Sequence, residues 1–146
     1  MRVLAIDTCL GACSAAVLDG DRLAAALSEP MDRGHQERLA PLVREVMGVA
    51  GLGFAELDRI AVTLGPGSFT GLRVGLAFAK GLGLALDRPV AGVGCLEVLA
   101  APVAALPGRT LALLPGRGDA VCAQAFEAGQ PLGPPVLEPA GSLDRL

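Results

Sequence analysis

Tryptophan and tyrosine are absent from the 146 residues, and four phenylalanines are the only aromatic rings apart from one histidine. A chain so poor in flat faces offers no row of platforms on which single-stranded bases stack. Lysine occurs once, as Lys80, and 12 basic side chains stand against 15 acidic ones for a formal net charge of −3. Phosphate backbones are gripped by clustered Lys and Arg, so the composition points away from nucleic-acid binding by this chain alone. Four cysteines, Cys9, Cys13, Cys95 and Cys122, include no C-x-x-C pair, and His35 stands in no ligand spacing with any of them. No metal or cofactor is therefore expected, and the cysteines read as small reduced core residues of a cytoplasmic protein. No uncharged run reaches the roughly 18 residues of a membrane helix. The opening "MRVLAIDTCLGACSAAVL" looks superficially like a secretory leader, but Asp7 in its middle is costly in lipid and favours a cytoplasmic start.

What is present is organised. Apolar runs at 2–8, 12–18 and 22–28, separated by Gly- and Asp-containing turns, predict three antiparallel strands in a meander. From His35 the period changes. Leu39, Leu42, Val43, Val46, Met47 and Ala50 recur at helical spacing with Arg38, Arg44 and Glu45 between them, predicting an amphipathic helix that ends near Gly51. Pro41 lies inside it and either bends it or marks its first turn. A short helical or turn segment at 54–58 precedes the strand "RIAVTLG", which reads as buried on both faces; a glycine loop, a long helix to Leu86, the strand "RPVAGVG" and a helix over 95–105 follow. Meander, helix, strand, helix and strand together predict an α/β domain with a mixed sheet and packed helices. After Pro107 the texture changes. "RTLALLP" and "AVCAQAFE" predict two further strands, and the Pro- and Gly-rich stretch beyond Gly129 adds too little to bury two new faces.

The loop "GPGSFTG", 65–71, fails three chemical templates. A dinucleotide fingerprint needs its third glycine where Thr70 stands, a P-loop needs a terminal G-K-[ST], and a nucleophile elbow needs glycines where Pro66 and Thr70 flank Ser68. A strand, a tight turn and a helix start remain, with the hydroxyls of Ser68 and Thr70 placed to cap the helix. Asp7, Gly67, Ser68 and Thr70 form the candidate anion or nucleotide loop, since a helix N-terminus attracts negative charge, and an ATP-binding enzyme of the sugar-kinase type using Asp7 and the Ser68/Thr70 loop is the alternative function. Paired carboxylates, or a nucleophile beside a histidine base, are not evident, and no catalytic residue is assigned.

The helix after the loop says more. Gly71, Gly75, Ala79 and Gly83 recur every four residues as a ridge almost without side chains, which lets another backbone come close. Arg73, Lys80 and Asp87, each seven apart, fall on one narrow line, and leucines, a valine and a phenylalanine fill the rest. A helix apolar nearly all round needs cover from two sides, of which its own sheet supplies one.

Four stretches, "MRVLAIDTCLGACSAAVL", "RGHQERLAPLV", "LDRIAVTLGPGSFTGLRVGLAFAKGL" and "RPVAGVGCLEVLA", resemble the bacterial TsaB (YeaZ) family in the same order over residues 1–101. The resemblance implies an actin/hexokinase/Hsp70-like lobe, of the ASKHA or ribonuclease H-like kind, over 1–107, with 108–146 a shortened remnant of a second lobe. It further implies a noncatalytic subunit of the machinery that places threonylcarbamoyl on adenosine in tRNA. Such a subunit pairs with a TsaD-like catalytic subunit, works beside a TsaE-like ATPase, meets tRNA only through the complex, and has a homodimer as its alternative pairing. The catalytic sister carries a His-x-x-x-His metal pair where this chain has Cys95 and Leu99, and leucine cannot bind a metal. In the family the helices corresponding to 35–50 and 70–86 meet a partner. Leu39, Leu42, Val46, Gly71, Val74, Gly75, Phe78 and Ala79 are accordingly the candidate partner interface, the glycine ridge being its centre.

Overall fold

Strand β1 (Arg2–Asp7) turns back into β2 (Ala12–Asp19) and again into β3 (Arg22–Pro30), the meander predicted from the turn residues. Helix α1 (His35–Ala50) then crosses over to β4 (Arg59–Thr63), and helix α2 (Phe69–Leu86) crosses over to β5 (Val90–Val93). The crossovers place β4 parallel to β1 and β5 parallel to β4, so the five-stranded sheet runs β3-β2-β1-β4-β5 with β1 at its centre. This computed structural model describes residues 1–145. It contains two compact units, the first made of Met1–Leu64 and Ser68–Val93, the second of Gly65–Gly67 and the chain from Gly94 onward.

In the first unit α1 lies over β2 and β3 and α2 over β4. One apolar cluster joins Leu4, Ile6, Val17, Ile60 and Val62 of the strands to Leu39, Leu42, Val43, Val46 and Met47 of α1 and Ala79 of α2. Burial along β4 alternates through Ile60 and Val62, with Ala61 half-buried, so the strand is not enclosed equally on both faces as its composition suggests. Helix α1 continues through Pro41, which lies inside it and does not mark its first turn. It ends at Gly51, whose φ of 68° lets its amide and that of Leu52 close on the carbonyls of Gly48 and Met47. Arg38 pins α1 to the meander: Nε donates to Glu29 on β3 at 2.6 Å, Nη2 donates to the same carboxylate, and Nη1 donates to Glu45 at 2.8 Å.

The second unit opens with α3 (Cys95–Ala100) and a 3-10 turn at Ala101–Val103, the helix stopping short of its predicted end because Pro102 follows. Its sheet is built from β6 (Arg109–Pro115), β7 (Ala120–Glu127), β8 (Gln130–Pro131) and β9 (Val136–Pro139). All its pairings are antiparallel, with both β8 and β9 on the far side of β7 from β6. Leu96 and Ala100 of α3 pack with Ala112 and Phe126 of the sheet as a small separate core. That packing corrects the boundary expected at residue 107. The apolar face of α3 has its partners on β6 and β7, so the helix belongs to the second unit.

Candidate functional site

The carboxyl ends of the parallel strands β1 and β4 are where an open α/β sheet carries its ligand-binding loops, and both the Asp7 turn and the glycine loop are found there. The polar groups at that edge in the first unit are bound to one another. Asp7 Oδ1 accepts from the Cys9 amide at 2.9 Å and from Thr63 Oγ1 at 2.6 Å. Ser68 donates its amide to the Cys9 carbonyl at 2.7 Å, and its Oγ accepts from the Gly71 amide at 3.2 Å. Ser68 is thus the N-cap of α2, which settles the choice between the two hydroxyls, while Thr70 is exposed in the first helical turn. Gly67, exposed, belongs to the second unit. Asp7 and Ser68 act as struts of a turn. Cys95 is buried at the start of α3 and Leu99 lies 43 % exposed one turn on.

The small-residue ridge of α2 faces inward. A methyl group on Gly71 would fall on the Thr8 carbonyl oxygen and 3.0 Å from its carbon; one on Gly75 would lie 2.5 Å from Thr8 Oγ1, and one on Gly83 2.5 Å from Val90 Cγ2. Thr8, itself buried, donates its hydroxyl to the Gly71 carbonyl at 2.7 Å, tying the helix to the end of the strand beside the close approach at Gly71. This corrects the expected interface. Gly71, Gly75 and Ala79 are covered by the chain's own sheet, and Leu39, Leu42 and Val46 sit in the core beneath α1, because the amphipathic face of a helix beside a sheet is the face that packs on it. Val74 and Phe78 are half-buried flanks packed against that core.

About half a turn round from the inner ridge the helix presents a different set. Phe69 is 66 % exposed and Leu84 87 % exposed, and between them Arg73, Ala77, Lys80 and Gly81 face outward. The Arg73 guanidinium lies 4.2 Å from the centroid of the Phe69 ring, a cation over a π face. Neither Arg73 nor Lys80 forms an ion pair among the described residues. On α1 the exposed positions are Gln36, Glu37, Ala40, Arg44, Glu45, Gly48 and Val49. By length and composition α2 is apolar enough to cross a membrane, yet it lies on its sheet along the whole inner ridge. The outward residues went unassigned in the sequence. Arg73 and Lys80 were the signal, since charges on one line of an apolar helix mark the side away from its core.

The family model described as "TsaD: tRNA N6-adenosine threonylcarbamoyltransferase" matches residues 28–133. The solved YeaZ from Pseudomonas aeruginosa superposes with a TM-score of 0.83 at 34% identity, covering 94% of this chain and 67% of that one. The chain belongs to the TsaB (YeaZ) family. The curated "tRNA threonylcarbamoyladenosine biosynthesis protein TsaB" of Escherichia coli is 39% identical over 100 residues, 68% of this TsaB-family chain and 43% of that protein. The chain thus spans less than half the length of that relative. A more distant structure, a ROK hexokinase from Thermus thermophilus, aligns with a TM-score of 0.57 at 23% identity over 90% of this chain and 48% of its own. That likeness speaks for the fold alone, and the hexokinase-like fold is the one expected.

Proposed function

We propose that this TsaB-family chain is a noncatalytic pairing subunit in the formation of threonylcarbamoyladenosine on tRNA, and that it docks a TsaD-like catalytic subunit on the outer face of α2, beside α1. One observation carries the reading: α2 has already spent one apolar side on its own sheet, and it still offers Phe69 and Leu84 to solvent at its two ends. Exposed apolar side chains of this size at both ends of one helix suit a partner-covered face. The hydrogen bonds that tie Asp7 to Thr63 and Cys9, and Ser68 to Gly71 and Cys9, support a structural loop in place of a reacting centre. The TsaE-like ATPase joins through the assembled complex, tRNA is reached only there, and the site of action is the cytoplasm. The unit from Gly94 onward, α3 included, is read as part of a second lobe.

The experiment is titration of the chain against the catalytic transferase subunit from the same organism, followed by calorimetry and size-exclusion chromatography. Phe69→Ala with Leu84→Ala weakens the complex at least tenfold without lowering the melting temperature, because both side chains are exposed in the free chain. Unchanged binding by the double variant sinks the proposal.

A further inference from the structure

A strand at the edge of a sheet offers unpaired backbone groups, and folds discourage further pairing there with short strands, charges, prolines and bulges. Most edges of this chain are protected in that way. β3 ends in Glu29 and Pro30 and its pairing with β2 carries a register shift, β5 is four residues long, and β8 and β9, of two and four residues, bring Pro131, Glu138 and Pro139. β6 is different. Among the described residues β7 is its only strand partner, and from Thr110 to Leu114 it carries no charge.

The register of the second sheet shows which backbone groups β6 leaves over. Antiparallel neighbours alternate between residues that exchange hydrogen bonds and residues whose groups point away from the partner. The Gly116 amide donates to the Ala120 carbonyl at 2.8 Å, so the even positions of β6 face β7. The Ala125 carbonyl, on the residue opposite Leu111, accepts from the Leu132 amide at 2.9 Å, which leaves the odd positions of β6 to the free edge. Arg109, Leu111 and Leu113 therefore direct their amides and carbonyls outward. Pro115 falls where its missing N–H would have faced the same way, a position at which an edge strand accepts proline. The side chains of Leu111 and Leu113, 38 % and 41 % exposed, share one face of the strand.

We propose that β6 pairs with β6 of a second copy, antiparallel about a twofold axis beside Ala112. In that register Leu111 of each copy lies opposite Leu113 of the other, outward position against outward position, so each pair exchanges hydrogen bonds in both directions. Pro115, at the end of the ladder, offers its carbonyl to the Arg109 amide of the other copy. The leucines of both copies gather on one face of the joined sheet as directly opposed cross-strand pairs. A centre at Leu111 would set Leu113 against Arg109, and a centre at Leu113 would set Leu111 against Pro115, so the centre at Ala112 alone gives every leucine a leucine. Charge does not oppose the contact, because Arg109 is paired with Glu127 of its own chain at 3.6 Å. The edge is thus its own complement in hydrogen bonding, in apolar surface and in charge, which is what a twofold contact requires. It lies wholly within the second unit.

The test uses the full chain. Sedimentation velocity shows the parent shifting toward dimer as its concentration is raised. Leu113→Lys, which puts a charge on the exposed face of the edge, weakens that association about tenfold and leaves the melting temperature unchanged. Disulfide capture reads the register, with the parent as the control for its own cysteines. Under mild oxidation Leu111→Cys mixed with Leu113→Cys gives a covalent pair, and neither variant alone does so. A parent that stays monomeric, a dimer indifferent to Leu113→Lys, or capture by Leu111→Cys alone overturns the proposal. A dimer abolished by Phe69→Ala with Leu84→Ala and kept by Leu113→Lys also overturns it, since such a dimer forms through α2.

Discussion

Replacing Gly71 with alanine and, separately, Gly81 with alanine makes the same chemical change in one helix, with opposite expected signs. In an exposed helical interior the change is favourable by about 1 kcal/mol, since glycine carries the larger backbone entropy loss on folding. At Gly81 nothing lies within 4 Å of the added methyl group, so that gain is realised in full. At Gly71 the methyl group meets the Thr8 backbone carbonyl head-on, with the carbonyl carbon at 3.0 Å, and neither partner is a flexible side chain that can swing away. The helix must lift from the end of β1, which costs about 1–3 kcal/mol as overpacking. Lifting also stretches the 2.7 Å bond from Thr8 Oγ1 to the Gly71 carbonyl, in a buried place where losing it costs about 1–3 kcal/mol more. Set against the propensity gain, the net for Gly71→Ala is about 1–5 kcal/mol of destabilisation, or on the order of 3–15 °C in melting temperature. Thermal unfolding followed by circular dichroism reads both variants: Gly81→Ala melts a few degrees above the parent, Gly71→Ala well below it. A Gly71→Ala protein as stable as the parent would refute the inward placement of the ridge, and with it the outward placement of Phe69, Arg73 and Leu84.

The Arg38 clamp gives a pH signature. Its guanidinium, hydrogen-bonded to both acids, holds the carboxyls of Glu29 and Glu45 below their ordinary value of 4.5. A depressed folded-state value means that the unfolded chain takes up protons first, so the clamp contributes in full above pH 4.5 and fades as the pH falls through the lower folded-state values. Urea midpoints measured from pH 7 downward should drop less steeply for Arg38→Met than for the parent, and parallel curves would count against the clamp. In the second unit, Phe126→Ala removes the largest side chain of a small core at a cost of about 3–5 kcal/mol. Amide exchange along β6 and β7 should lose most of its protection, and retained protection would show that Phe126 is not what holds α3 to that sheet.

The strand and helix order was legible because turn glycines and a change of hydrophobic period punctuate this chain clearly, as at Gly34 and Gly51 on either side of α1. The orientation of α1 was also open to reading, since Arg44 lies opposite Leu39, Leu42 and Val46. Treating those leucines as partner contacts overlooked that one apolar face cannot serve core and interface together. Helix α2 resisted for a physical reason. With apolar or side-chain-free positions on nearly every side, hydrophobicity carried almost no directional information, and only Arg73 and Lys80 broke the symmetry. The role of Thr8 was hidden altogether, because a threonine whose hydroxyl meets a carbonyl 63 positions away leaves no local pattern.

The contact between Thr8 and the glycines of α2 has a mechanical meaning. Where helices usually rest on cushions of leucine that can reshuffle, this one comes close enough at Gly71 to meet the Thr8 carbonyl and is tied there by the buried Thr8 hydroxyl. Its outer surface is therefore delivered in finished shape before any visitor arrives, and capture there forfeits little internal freedom.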